Sequence, residues 1–310
     1  MRAHLAESRR GVRWLNVAEW MVRSLGGHEV ADLSLASRTG FLDLASRAWW
    51  DEVMTWAGAP GGLLPETADA GSPAGLVGEA LPGAEGATLT VGGHDHPCAT
   101  IGAGATRPGD VFDSCGTAEA LVAAVEPPVP AQAIRRTAAG GVTVGWHALP
   151  GRQSLMAGFV SGLALQRFLG LLGTEDREAL DAAAMGVPTG AGGLVVHDMT
   201  GDLAALEGIT WAATPGHVWR AALEAIAQHG AGALATIESV AGPTGRLVVA
   251  GGWARSPAVR AVKREILGPF DEPVVDEAGA RGAALMAGVA AGLYGGVEDL
   301  PPIEWRPTAA

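Results

Sequence analysis

The sequence predicts an α/β fold in two domains. Three observations carry that expectation. Short β-branched runs alternate with amphipathic helical stretches along 310 residues. Two of those runs, residues 88–91 and 246–250, end in Gly-Gly and pass directly towards a helix. An apolar fraction of 48% with 46 glycines suits a large core joined by many tight turns, and it argues against disorder.

Residues 12–25 read as an amphipathic helix, with Trp14, Val17, Ala18, Met21, Val22 and Leu25 at three- and four-residue spacing and Gly26-Gly27 as its stop. Residues 29–38 read as a short strand and a Ser-rich turn, 41–44 as a further short strand, and 49–57 as a helix closed by Gly58 and Pro60. Residues 64–86 are loop-like, with one strand near 75–77. After the strand at 88–91, Asp95 opens a short helix with Pro97 in its first turn. The three prolines within 122–130 make that segment a connection, and 142–148 reads as one strand of a hairpin. Residues 154–172 contain a helix, and Thr174 caps another that runs to Met185, with Glu175 and Asp176 in its first turn. Residues 193–197 form a buried strand, and Thr214-Pro215 start a long helix ending near Val240. The strand at 246–250 leads through Gly251-Gly252 to a helix at 257–267; a short strand at 273–275 and a small-residue helix at 279–293 follow. The tail from 297 is proline-rich and is expected to be mobile. The domain boundary is placed at 106–109, dividing the chain into 1–108 and 109–310.

A net charge of −12 argues against nucleic acid as the main partner, without excluding a single nucleotide. Cys98 and Cys115 fit no metal or redox spacing and suit a reducing compartment. The N-terminus has no apolar run of signal-peptide length, and the longest apolar stretch, 282–294, is too short to span a bilayer. A cytoplasmic protein without a membrane partner is therefore expected.

The chemistry concentrates in LTVGGHDHPCATIGAGATRPGDVFDSCGTAEAL, residues 89–121. A carboxylate at a strand-to-helix turn is well placed for catalysis, although Asp95 taken alone reads first as a helix N-cap, the commoner role of Asp there. Thr117, after Gly116, offers a hydroxyl to a phosphate oxygen. Gly162 and Gln166 provide another wall, and Gly251-Gly252 allows close backbone approach. There is no G-x-G-x-x-G, P-loop or G-x-S-x-G. His94 and His96 flank Asp95, but no further metal ligand lies at a fixed spacing. The tryptophans fall mostly at helix positions, and Arg220 with Glu224 reads as a surface or interdomain i,i+4 pair.

Several stretches together resemble the FGGY carbohydrate kinases, the group of glycerol kinase, xylulokinase and gluconokinase. These are DLSLASRTGFLDLASRAWWDEVMTWAGAPGGLLPE, GGHDHPCATIGAG, PGDVFDSCGTAEAL, LVVAGGWARSPAVRAVKREILG and ARGAALMAGVAAGLYG. They occur in family order from about residue 12 to 297. The resemblance implies an actin-like ATPase (ribonuclease H-like) fold, with a sugar-side first domain and a nucleotide-side second one. It implies ATP-dependent phosphorylation of a sugar or polyol, with Mg²⁺ bridging the phosphates. Asp95 would be the base and His96 a substrate contact. Gly116 and Thr117 would meet the phosphates, Gly162 and Gln166 would lie near the nucleotide, Gly251 and Gly252 would admit it, and Ser256 would stand near the adenine.

The sequence departs from the family in two places. The glycine-rich strand-turn-strand with which relatives begin has no counterpart, so the first domain is expected to be incomplete. The segment HDMTGDLAALEGITW also lacks the arginine and proline that relatives carry there. The competing expectation is therefore a catalytically inactive nucleotide-binding or interaction module. A homodimer or a complementing N-terminal chain is the partner that would restore the family arrangement.

Overall fold

A computed structural model describes residues 13–174, 176–199, 201 and 204–307. In chain order the elements are α1 (Val17–Ser24), β1 (Val30–Asp32), α2 (Leu33–Ala36), β2 (Leu42–Asp43), β3 (Ala48–Trp49), α3 (Asp51–Ala57), β4 (Glu66–Ala68), β5 (Pro73–Leu76), β6 (Thr88–Thr90) and α4 (Asp95–Gly102). They continue with β7 (Asp110–Cys115), β8 (Glu119–Val125), α5 (Ala131–Ala139), β9 (Val142–Trp146), β10 (Gln153–Phe159), α6 (Ser161–Leu171), α7 (Arg177–Met185), β11 (Val195–His197), β12 (Ala205–Glu207), α8 (Pro215–Ala241), β13 (Arg246–Ala250), α9 (Pro257–Leu267) and α10 (Ala278–Ala290).

The organising layer is a five-stranded sheet in the order β13-β7-β8-β10-β9. β13 runs parallel to β7, and the other pairings are antiparallel. One face packs against α6, α8 and α9 through Leu121, Leu155, Trp219, Ile226 and Val259. The other face, with Phe112, Val248 and Ala250, meets Ala99 and Ala103 of α4 and Ala278 of α10. α4 and α10 lie close together because their contacts are glycine: a Cβ on Gly102 would collide with Ala278 O, and one on Gly282 with Cys98 O. The last helix of the chain thus packs on an element from its first third. Among the described residues, the earlier segment contributes the two-stranded sheets β1-β4, β2-β3 and β5-β6.

Several expectations are corrected. The segment 122–130 is not wholly a connection: β8 runs to Val125 as a buried strand, and its small and branched residues fit a covered sheet until the prolines begin at Pro127. Residues 154–172 divide into strand β10 and helix α6. The Ser-rich turn after β1 is helical, because Asp32 accepts hydrogen bonds from Ser34 N and Leu35 N. The helix expected at 49–57 starts two residues late, since Trp49 pairs in β3. Asp176, not Thr174, caps α7, and Glu175 lies outside the described residues. The strand near 193–197 is the three-residue β11, in which Val196 alone is buried. Residues 273–275 make a single bridge, Pro273 to Trp305. The tail is docked in part: Val274 N donates to Glu304 O, Arg306 N to Glu272 O, and Arg246 stacks on Trp305.

Two side-chain placements reverse the sequence reading. In α1 the apolar stripe is split: Val22 is buried with Leu25 against it, but Val17 at 75% and Met21 at 51% exposure, beside Trp20 at 58%, face out, whereas Glu19 is buried. Glu19 is satisfied by Asn16 N and Asp32 N, so a capping box turns a carboxylate inward. Arg220 and Glu224 are also buried, not on the surface; Arg220 bonds Glu224 and Glu265 together and holds Thr189. No helix among the described residues is long and apolar enough to cross a membrane.

Candidate functional site

β7 and β13 run parallel, with Ser114 beside Ala250, so both strands end at the same edge of the sheet. That register brings together two turns far apart in sequence. The β7–β8 turn is Gly116, Thr117 and Ala118; the Gly116 N–H is shared between Ser114 O and Ala118 O. Thr117 and Ala118 are exposed. Beside them Gly251 takes φ +118°, and a Cβ there would lie 2.5 Å from Cys115 O. Only glycine fits that position. Gly252 has ordinary helical dihedrals and open space around its α-carbon.

α6 packs against the β7–β8 turn. Leu163 N donates to Thr117 O at 3.0 Å. Gly162 packs so tightly that a Cβ would fall on Gly116 O, 2.9 Å from Thr117 O and 2.6 Å from Trp253 Nε1. Between the two turns and the ends of α4 and α10 lies a cavity of ≈ 410 Å³. Gly116, Gly251, Gly252, Arg255, Asp276 and Ala99 are among its lining residues. Its size and backbone-rich wall suit a flat, phosphate-bearing ligand.

Asp95 stands at the first position of α4, one turn before Ala99. The helix cap is His94, which corrects the reading of Asp95 as an N-cap. The turn is held from below: His94 N donates to Ser34 Oγ at 2.7 Å, and Ser34 in turn donates to Asp32. Gly93, at φ +116°, is confined between Ala148 and Ser34. The Asp95 side chain is 79% exposed, and His94 Nδ1 lies 2.8 Å from its carboxylate. Beside His94, and with His96 close by, the Asp95 carboxyl is held well below the usual carboxylate range even though partial burial opposes this. His96 is half-buried, and burial lowers its pKa.

The structure thus brings Gly116, Gly251 and Gly252 to one cavity, with Thr117 next to Gly116 in the turn, Gly162 packed behind that turn, and Asp95 one turn before Ala99 on the helix that forms the far wall. It places two residues otherwise. Ser256 is fully buried; its hydroxyl donates to Asp181 Oδ2 at 2.6 Å and accepts from Val259 N as the cap of α9. Gln166 is exposed one turn beyond Gly162 and does not line the cavity. Sequence reasoning missed Trp253, which braces Gly162, and the Arg255–Asp276 ion pair at 2.9 Å on the cavity rim. Trp253 and Arg255 directly follow Gly251-Gly252, so their position alone was a usable signal. Among the described residues, Asp113, Cys115 and Glu119 are the one group of three potential metal ligands within 4.8 Å of one another, but Lys263 Nζ already bonds both carboxylates. Cys98 and Cys115 are buried free thiols, and burial pushes Cys98 up to about 12.

Comparison with known proteins gives a consistent set of relatives. Residues 2–102 match the model for the FGGY family of carbohydrate kinases, N-terminal domain. The chain is 32% identical over 306 residues to a glycerol kinase from Bordetella parapertussis, covering 91% of this chain and 59% of that protein. It is 31% identical to a glycerol kinase from Leptothrix cholodnii, covering 94% and 61%. A xylulose kinase from Rhodospirillum rubrum superposes with a TM-score of 0.77 at 27% identity, covering 93% of this chain and 61% of that one. A Plasmodium falciparum glycerol kinase, solved with ADP, gives 0.79 at 19% identity, covering 93% and 62%. The fold is that of the actin-like ATPases. The chain spans about three fifths of the length of the relatives it matches.

Proposed function

The chain belongs to the FGGY carbohydrate kinases, and on that premise we propose that it serves ATP-dependent phosphorylation of a polyol or ketose, with Asp95 as base. The observation that carries this reading is the meeting of Gly116, in the turn braced by Gly162, and Gly251-Gly252 on one cavity, with the Asp95 helix opposite through Ala99. Phosphate oxygens would receive the Thr117 hydroxyl and backbone N–H groups of the β7–β8 turn, and the base of the nucleotide would pass over Gly252. A sugar hydroxyl held near His96 attacks the γ-phosphorus as the bond to the ADP oxygen breaks, and Asp95 takes the hydroxyl proton. A depressed carboxyl pKa suits this role. Asp95 stays ionised at neutral pH, and a loose transition state asks for positioning more than basicity. Mg²⁺ would neutralise phosphate charge. Asp276, an exposed carboxylate on the cavity rim, would be the oxygen donor to that hard cation through water.

A second reading, a non-catalytic nucleotide-binding or interaction module, draws on the exposed Val17, Trp20 and Met21 of α1. That face would receive either a second copy or a chain supplying further kinase sequence. A cytoplasmic setting fits two buried free thiols. Phosphotransfer from Mg-ATP to a panel of polyols and ketoses tests the first reading. Sugar-dependent ADP release supports it. ADP binding without turnover supports the second, and neither activity nor binding sinks both.

A further inference from the structure

Beneath the β7–β8 turn lies a charged cluster that the mechanism above does not use. Lys263 of α9 is 2% exposed, Asp113 of β7 is 0% and Glu119 of β8 is 2%. Lys263 Nζ donates to Asp113 Oδ2 at 2.5 Å and to Glu119 Oε1 at 2.7 Å. Cys115 Sγ lies 3.4 Å from Asp113 Oδ1, and the Ser161 hydroxyl bonds Glu119. One ammonium therefore ties together the strands on both sides of the turn. Through α9 it also reaches the helix that follows Gly251-Gly252, and through Ser161 the start of α6.

A buried ion cluster of this kind is a poor source of net stability, because desolvating three charges costs about what their attraction returns. It is a strong geometric constraint, because removing the ammonium leaves two carboxylates buried side by side. The turn itself has few bonds of its own: one shared Gly116 N–H and the Leu163 N–H to Thr117 O. Burial and Asp113 push Glu119 up to about 7. Burial opposes the Lys263 charge, but the acids around it outweigh burial and hold its pKa well above the usual lysine value.

We infer that Lys263 is a positioning residue for the phosphate-contacting turn: by bonding Asp113 and Glu119 it fixes where Gly116 and Thr117 stand relative to Gly162 and Gly251. This rests on the reading of the cavity as a nucleotide site, but its first test does not depend on that reading. Amide hydrogen exchange is measured on the full chain for wild type, Lys263→Met, and the triple variant Asp113→Asn/Glu119→Gln/Lys263→Met. The triple variant removes all buried charge and keeps the volume, so it remains available if the single variant does not fold.

In Lys263→Met and in the triple variant, exchange at Gly116 and Leu163, whose N–H groups carry the bonds of the turn, should rise at least tenfold, with β10 and α8 protected as in wild type. Mg-ADP affinity by calorimetry should fall at least tenfold in both. Wild-type exchange of the turn in the folded triple variant would overturn the inference, as would a loss of protection spread evenly over the sheet. Either result would make Lys263 a purely structural residue. A wild-type chain that does not bind Mg-ADP would instead sink the functional reading, and the exchange comparison would still decide the role of Lys263.

Discussion

Gly162→Ala and Gly252→Ala form a pair in which the same added methyl group should weaken nucleotide binding in both but cost stability only at Gly162. At Gly162 the new Cβ would land on Gly116 O and within 2.6 Å of Trp253 Nε1 and 2.9 Å of Thr117 O. Contacts that short are not found for real Cβ atoms, so α6 and the turn must part by most of an ångström. The turn is backbone, the indole is packed against Trp219, and neither yields without moving its neighbours. Overpacking of this type costs about 1–3 kcal/mol, and the displacement moves Thr117 itself. Gly162→Ala should therefore lose both stability and Mg-ADP affinity. Gly252 has helical dihedrals and no atom within 4 Å of a built Cβ, so Gly252→Ala should hold its stability within about 0.5 kcal/mol. Its methyl group would nevertheless project beside the cavity and weaken nucleotide binding. Urea denaturation and calorimetry on the two variants measure both quantities. Equal stability for the two, or full nucleotide affinity in Gly162→Ala, would refute the close-packed wall.

Three other outcomes are expected. Asp95→Asn should lower kcat by on the order of 10²–10⁴ with little change in Mg-ADP affinity, and an active variant would remove Asp95 from the role of base. Burial raises Asp32 to about 6 against the bonds from Ser34 and Leu35, with Glu19 adding to the rise, so the folded chain holds a proton that the unfolded chain releases. Stability should accordingly fall as pH rises from about 4 to 6, by up to roughly 3 kcal/mol from this group, and Asp32→Asn should flatten that part of the profile. Denaturation midpoints at pH 4 and pH 7 check this, and parallel profiles for the two proteins would contradict it. Arg220→Met leaves Glu224 buried without its cation and should cost about 3–5 kcal/mol; a loss under 1 kcal/mol would show that Glu224 finds water or a proton instead.

Much of the fold was legible where local chemistry decides the outcome. Thr214-Pro215 and Ser256-Pro257 start helices as their capping residues require, and both Gly-Gly turns follow strands. The turns could be read individually but their meeting could not, because it depends on the parallel register of β7 and β13 across more than a hundred residues. β8 was hidden by the prolines that follow it, since a buried strand of small residues has no alternation to reveal it. Periodicity gave the stripe on α1 but not how it divides: Val22 is buried while Val17 and Met21 are exposed and Glu19 turns inward, which depends on what lies beside the helix. Nothing in the sequence singles out Lys263, because its partners Asp113 and Glu119 lie about 150 residues away in other elements. Ser256 looked like a ligand contact from its place after Gly-Gly, yet its hydroxyl is taken up by Asp181 and the α9 cap.

The most direct test is titration of Mg-ADP into the purified chain, alongside Gly252→Val, whose branched side chain would fill the opening between the two turns. One nucleotide per chain in wild type, with affinity at least tenfold weaker in a folded Gly252→Val protein, is the expected result. Binding unaffected by the valine would put the nucleotide elsewhere, and no binding by the wild-type chain would contradict the assignment of the cavity itself.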